Sequence, residues 1–176
     1  MDKKEALRKL LKQNAVKIGE FTLSSGGKSD FYVDGKQITC HPEGLNLIAE
    51  IILEKIKGCK AQGIGGMTIG ADPIAAAVAM ASVKAGSPIP AFIVRKVQKE
   101  HGLQKKIEGI IKPGSNVVIV DDVITKGTAT LQAIAAVEEI GCKVAKVICL
   151  VNRQEGGDEA LQEYDFDPIF TKKELM

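Results

Sequence analysis

The chain has no tryptophan, only two histidines, and four cysteines, none of them in a Cys-x-x-Cys pair. His41 and His101 do not cluster with Cys40, Cys59, Cys142 or Cys149, so neither a zinc site nor, at 176 residues, a disulfide framework is expected. Buried or half-buried free thiols in a reducing cytoplasm are the expectation. No charge sign dominates: 24 Lys and Arg against 22 Asp and Glu leave a net charge of +2. That is too small for nucleic-acid binding by bulk electrostatics, so any anion site must be local. No apolar run reaches the roughly 18 residues that a membrane span needs. There is no internal repeat, no low-complexity tract, no Walker loop and no Gly-x-Gly-x-x-Gly. Residues 1–5 lead into an amphipathic helix rather than a signal peptide. What remains has a globular composition, 45% hydrophobic and 26% charged, and is expected to form one domain over 1–176.

The most informative stretch is 116–130. Val117, Val118, Ile119 and Val120 form a short apolar run suited to a strand buried on both faces of a parallel sheet. Asp121 and Asp122 follow, then Val123, Ile124, Thr125, Lys126, Gly127, Thr128, Ala129 and Thr130, and then a helical pattern through Leu131, Ile134, Val137 and Ile140. Strand, polar loop and helix in that order suit a phosphate. Backbone N–H groups at a helix start lack intrahelical partners and carry the positive end of the dipole. Gly127 allows close backbone approach, and the threonines add hydroxyl donors. Adjacent acids at a strand's carboxyl end can accept bonds from a sugar diol, or attract a cation that travels with phosphates. The plainer alternative is a buried strand leading to an N-capped helix.

Before this stretch, residues 2–15 have helical spacing, and alternation around Phe21 and Leu23, a Gly26-Gly27 turn, and Phe31, Tyr32 and Val33 predict a hairpin. Residues 42–57 predict a helix with Pro42 in its first turn and Gly58 at its stop. A short strand at 61–65 runs into a loop with Gly65, Gly66 and Gly70, followed by a helix from about residue 74 to 85. These glycines suit either tight helix packing or backbone donors for a diphosphate. A strand at 90–94 leads to a run with Arg95, Lys96, Lys99 and His101, where Glu100 is the single acid; on charge alone this is a solvated loop. After a turn at 112–116 and the central stretch, a strand at 144–151 ends in Asn152, Arg153, Gln154, Glu155, Gly156 and Gly157. Arg153 there suits either a surface ion pair or a site-facing position in an open sheet. The tail predicts a final helix and an edge strand. Strands alternating with helices give an α/β fold with a mostly parallel central sheet flanked by helices.

The string at 117–130 resembles the signature of the type I phosphoribosyltransferases, which bind 5-phosphoribosyl 1-pyrophosphate (PRPP). Arg95-Lys96, Lys99 and His101-Gly102 are similar to the Arg-Lys-x-x-Lys-x-His-Gly loop of the orotate phosphoribosyltransferases, which other members generally lack. The hairpin and the Asn-Arg-Gln-Glu-Gly-Gly string resemble the same family. The resemblance runs from Phe21 to about Gly157. It implies transfer of a phosphoribosyl group from PRPP to orotate, giving orotidine 5′-monophosphate and pyrophosphate in pyrimidine synthesis. By resemblance, Asp121 and Asp122 hold the ribose hydroxyls, Thr125, Lys126, Gly127, Thr128 and Ala129 take the 5′-phosphate, and Val123 and Ile124 belong to the same PRPP-binding stretch. Arg95, Lys96, Lys99 and His101 offset leaving-group charge, with Lys99 or His101 as proton donor. Thr125 lies near the base and Arg153 binds the orotate carboxylate.

The resemblance further implies Mg²⁺ held mainly through PRPP and water, with no direct protein ligand. It implies a homodimer in which the 95–106 loop reaches the neighbouring subunit's site, and a cytoplasmic enzyme with no nucleic-acid or membrane partner. Residues 1–40 and the C-terminal tail are expected to form a hood over the base site. Some members have a lysine where this chain has Ser24 or near Gly70. A transferase for a purine or another base conflicts with the basic-His loop and Arg153. A non-catalytic PRPP sensor that binds nucleic acid would predict a damaged lid and an extended basic face or an extra DNA-binding domain, which are not expected here at a net charge of +2.

Overall fold

A computed structural model describes residues 2–22, 28–96 and 106–176. Helix α1 (Lys3–Asn14), capped by the Asp2 side chain, leads into strands β1 (Val16–Thr22) and β2 (Lys28–Val33), an antiparallel pair that forms its own small sheet. Two helices follow, α2 (Lys36–Thr39) and α3 (Pro42–Lys55). His41 caps α3 by accepting from the Gly44 N–H, and Pro42 occupies its first turn, where a missing N–H costs nothing. Strand and helix then alternate through β3 (Gly63–Met67), α4 (Ala71–Lys84), β4 (Ala91–Val94), β5 (Ile107–Gly109), β6 (Asn116–Ile124), α5 (Thr128–Glu139) and β7 (Lys143–Asn152). The chain closes with α6 (Gly157–Ala160), β8 (Phe170–Thr171) and α7 (Lys172–Leu175).

The main sheet has six strands in the order β5-β4-β3-β6-β7-β8, parallel except for β5 at its edge. Strand alternation divides its core into two layers. Val118, Val120, Ile148 and Leu150 point to the face covered by α1, α3 and α4, whereas Val117, Ile119, Val147 and Cys149 meet residues of α5 on the other. The four residues from Val117 to Val120 are at most 1% exposed. Burying side chains of this size contributes about 1.5–3 kcal/mol each, which anchors β6 firmly in the core. From β3 the chain first builds outward through β4 and β5, then returns to place β6 on the other side of β3. The β3–β6 junction is therefore a topological switch point, where the carboxyl ends of two parallel strands leave a crevice.

The predicted α/β class and alternation agree with this architecture, with three differences. Asp121 and Asp122 belong to β6 itself, because pairing to β7 continues through Val123↔Val151 and Ile124↔Asn152. Helix α4 begins at Ala71 rather than near 74, directly after Gly70. Cys40 is exposed, against the expectation of buried or half-buried thiols; Cys59 is half-buried, and Cys142 and Cys149 are buried. Periodicity also missed α2 and β5, each too short to generate a pattern. The Gly26-Gly27 turn lies outside the described residues.

Gly65 lies at the centre of this packing. A Cβ on it would run into the Phe92 carbonyl and ring of the neighbouring strand. Gly65→Ala is expected to destabilise the fold by roughly 2–4 kcal/mol, read as a lower urea midpoint with an unchanged slope.

Candidate active site

The two acids of β6 end in the switch-point crevice. Alternation sends Asp121 toward α5, where Thr130 Oγ1 lies 3.5 Å from its Oδ2, and Asp122 toward α2, where Lys36 Nζ donates to Oδ2 at 2.8 Å. Their inner oxygens accept local backbone N–H groups, Asp122 N to Asp121 Oδ1 and Val123 N to Asp122 Oδ1, both at 2.9 Å. Both carboxylates also press on Gly70, at the end of the β3–α4 turn: a Cβ there would collide with Oδ1 of each. Asp121 and Asp122 are 8% and 6% exposed. Burial first, and then the charge of Asp122, push the Asp121 carboxyl up to about 7. Lys36 moves upward as well, chiefly through its bond to Asp122.

Beyond the acids, the chain turns into α5 through Thr125, Lys126 and Gly127. Gly127 takes φ 77°, a left-handed conformation that glycine adopts without steric cost, and as N-cap it offers no side-chain acceptor. The first helical backbone bond runs from Leu131 N to Gly127 O, so the N–H groups of residues 128–130 point out of the helix end. Val123, Ile124, Thr125, Lys126, Gly127, Thr128, Ala129 and Thr130 line a cavity of about 360 Å³ that also touches Asp121. The residues expected from sequence to take a phosphate therefore share one cavity wall with Asp121.

Arg95 and Lys96, at the end of β4, line a neighbouring cleft of about 410 Å³ with Thr68, Asp72 and Glu108. Arg95 pairs with Glu108 at 3.1 Å, and its N–H donates to Lys106 O, which ties together the ends of the basic segment. Lys99 and His101, the expected proton donors, lie outside the described residues, as does Ser24. Arg153 follows β7 and is bonded through its backbone N–H to Ile124 O at 2.9 Å, beside the phosphate turn. It is 8% exposed, and its Nη2 donates to Glu155 at 3.0 Å and to the Phe31 carbonyl of β2 at 3.3 Å. The guanidinium thus sits buried at the junction of main sheet and hairpin, where a surface ion pair would not. Sequence reasoning missed Lys36 and the contact between Gly70 and the acids. The Asp34-Gly35-Lys36 turn was the only local signal, and a weak one.

Among the described residues, no group of three or more His, Cys, Asp or Glu could hold a metal ion. The donor set is two acids, one already paired with Lys36. Such a set suits an ion that a ligand brings on its own phosphate oxygens, not a protein-built cage.

Residues 34–169 match the phosphoribosyl transferase domain family, which spans the acid pair, the cradle, the basic segment and Arg153. The orotate phosphoribosyltransferase of Methanocaldococcus jannaschii is 44% identical over 100% of this chain and 98% of its own length. That of Aquifex aeolicus is 42% identical over 93% of this chain and 91% of its own. The chain belongs to the orotate phosphoribosyltransferase family. Among solved structures, the Mycobacterium tuberculosis orotate phosphoribosyltransferase in complex with Fe(III) dicitrate superposes with a TM-score of 0.87 at 35% identity, over 99% of both chains. The same enzyme in complex with PRPP gives 0.82 at 31% identity, again over 99% of both chains.

For this member, the buried acid pair has a consequence for stability. The Asp121 carboxyl stands near 7 in the folded chain against 3.8 for the free group, so the folded state holds the extra proton between those values. Stability is then greatest below 3.8 and falls as pH rises through about 7. Asp121→Asn keeps the acceptor for the Asp122 N–H and removes the charge. It should raise thermal stability at pH 8 by the equivalent of roughly 1–3 kcal/mol and by roughly a third of that at pH 5, by calorimetry at both values.

Proposed function

We propose that this chain transfers the 5-phosphoribosyl group of PRPP to N1 of orotate, giving orotidine 5′-monophosphate and pyrophosphate in pyrimidine synthesis. The reading is carried by the continuity of the acid pair at the β3–β6 switch point with the α5 anion cradle. The names of the relatives and the buried Arg153 beside both support it.

Displacement at the anomeric carbon is chiefly an electrostatic problem. As the bond from C1 to the diphosphate oxygen breaks, its electron pair leaves on pyrophosphate and positive charge builds on the ribose, as in glycoside chemistry. N1 of orotate supplies the pair for the new bond and releases its proton to solvent. Asp121 and Asp122 accept the ribose hydroxyls and favour that charge. Thr125, Lys126, Gly127, Thr128 and Ala129, with Val123 and Ile124 before them, anchor the 5′-phosphate and so fix C1 relative to the acids. Thr125 also borders the base. Arg95, Lys96, Lys99 and His101 offset the charge gathering on pyrophosphate, and Lys99 or His101 gives it a proton. Mg²⁺ would be held mainly through PRPP and water, with no direct protein ligand, and would supply further neutralisation of the leaving group. Arg153 selects the substrate by forking onto the orotate carboxylate, in competition with Glu155 for the guanidinium. The hairpin within residues 1–40, joined to the tail by the Lys172–Asp30 ion pair at 2.7 Å, serves as the hood over the base. In the same reading the enzyme is a cytoplasmic homodimer whose 95–106 loop enters the neighbouring site, with no nucleic-acid partner.

The test mixes protein, PRPP and Mg²⁺ with orotate, uracil or hypoxanthine and follows loss of the base's absorbance. Orotate alone should turn over; turnover of another base in its place would overturn the reading. Arg153→Ala should raise the KM for orotate by about 10–100-fold while the KM for PRPP stays within about threefold. Gly70→Ala tests the acid pair by sterics alone, since φ −64° at this position accepts alanine. It is expected to lower kcat/KM for PRPP by at least about 100-fold without loss of the folded far-ultraviolet spectrum.

A further inference from the structure

Helix α2 begins directly after the hairpin, and its first residues meet the acid pair from the side opposite α5. The approach is close: a Cβ on Gly35 would stand 3.0 Å from Asp122 Cβ and 3.1 Å from its Oδ2. Lys36, the next residue, reaches back to donate to that same oxygen at 2.8 Å. Its own backbone N–H donates to Asp34 Oδ1 at 3.1 Å, which fixes the turn from which the side chain extends. With Val123 N–H on the other oxygen, Asp122 is held from two directions.

We propose that Lys36 is a positioning residue for the sugar-binding acids, aiming Asp122 into the crevice beside Asp121. This rests on the reading of the site as a PRPP site. The groups facing the pair are few. Lys36 comes from α2 with Asp34 just before it, Thr130 comes from α5, and the buried thiol of Cys149 comes from β7 with Asp158 farther out. Among the described residues, Lys36 is the cation facing the pair. Two adjacent carboxylates buried together resist double ionisation, and Asp121 is accordingly pushed upward. An ammonium on Asp122 lets at least one of the pair remain ionised near neutrality, when a sugar diol needs acceptors. Without it, a proton shared between the acids would turn an acceptor into a donor. Because the Lys36 side chain is half exposed, its charge is partly screened, and the effect is correspondingly moderate.

The experiment measures PRPP affinity by titration calorimetry between pH 6 and 9 for wild type, Lys36→Met and Lys36→Arg, each checked for an unchanged melting temperature. Lys36→Met should weaken PRPP binding by about tenfold at pH 6.5 and about twofold at pH 8.5, an upward move of the acidic limb by about one unit. Lys36→Arg should restore most of the affinity and return the limb. The KM for orotate should stay within about twofold, because the lysine acts through Asp122 and not on the base. PRPP binding by Lys36→Met that matches wild type across the range would overturn the inference alone, and so would a loss that is the same at every pH. Absence of PRPP binding by the wild type would overturn the underlying reading and this inference with it. Calorimetry needs no base, so a mistaken base assignment leaves the result interpretable.

Discussion

Two adjacent carboxylates buried at the end of a central strand set the terms for the rest of this structure. Leaving such groups in a dry interior without partners costs several kcal/mol each, so the surrounding elements must supply donors or exclude competing atoms. Backbone N–H groups of β6 satisfy one oxygen of each acid, Lys36 satisfies another, and Gly70 withholds a side chain where any Cβ would strike both. The strand can tolerate this because the four residues before the acids are sealed in two apolar layers. Stability is concentrated in Val117–Val120 and functional tension immediately after it. That is the arrangement expected when a site must be held rigidly in place.

Placing the acids within β6 rather than on a loop also determines what each one meets. Successive residues of a strand face opposite sides, so one carboxylate turns toward α5 and the phosphate cradle while the other turns toward α2 and the hairpin. A pair on a flexible loop would have no such division. The strand geometry therefore connects phosphate binding to the hairpin side of the molecule through adjacent residues. Arg153 makes a second connection, with its backbone on Ile124 and its guanidinium on Phe31. The tail makes a third: Lys172 pairs with Asp30 and lies 5.6 Å over the Phe31 ring, and Lys4 pairs with Glu174.

This division explains what the sequence disclosed and what it withheld. The parallel sheet was legible because buried strands such as β6 and β7 are written as aliphatic runs, and the turn into α5 because a glycine among threonines separates an apolar run from a helical pattern. Arg153 was legible only as a position at a strand end; its burial depends on the hairpin folding over it. The contacts of Gly35 and Gly70 with the acids were not legible at all. They arise between segments more than 50 residues apart, and a glycine in sequence does not say what its missing side chain makes room for. Asp121 and Asp122 looked like loop residues because acids are poor strand formers. Pairing with β7, which continues to Asn152, overrides that local preference.

The same reasoning separates the fixed part of the site from the part supplied by the basic segment. The acid pair and cradle are built on β6 and α5, so their donors and acceptors are oriented before any ligand arrives, and little reorganisation is needed as charge develops. Arg95 and Lys96 stand at the end of β4, one strand away from the switch point, with Glu108 already on Arg95. Their contribution depends on exchanging that protein carboxylate for a ligand's phosphate oxygens. On the proposed reading, negative charge for the ribose is preassembled, whereas positive charge for the leaving group has to be recruited. A displacement of the proposed kind benefits from that asymmetry, because a leaving group held by recruited charge is free to depart.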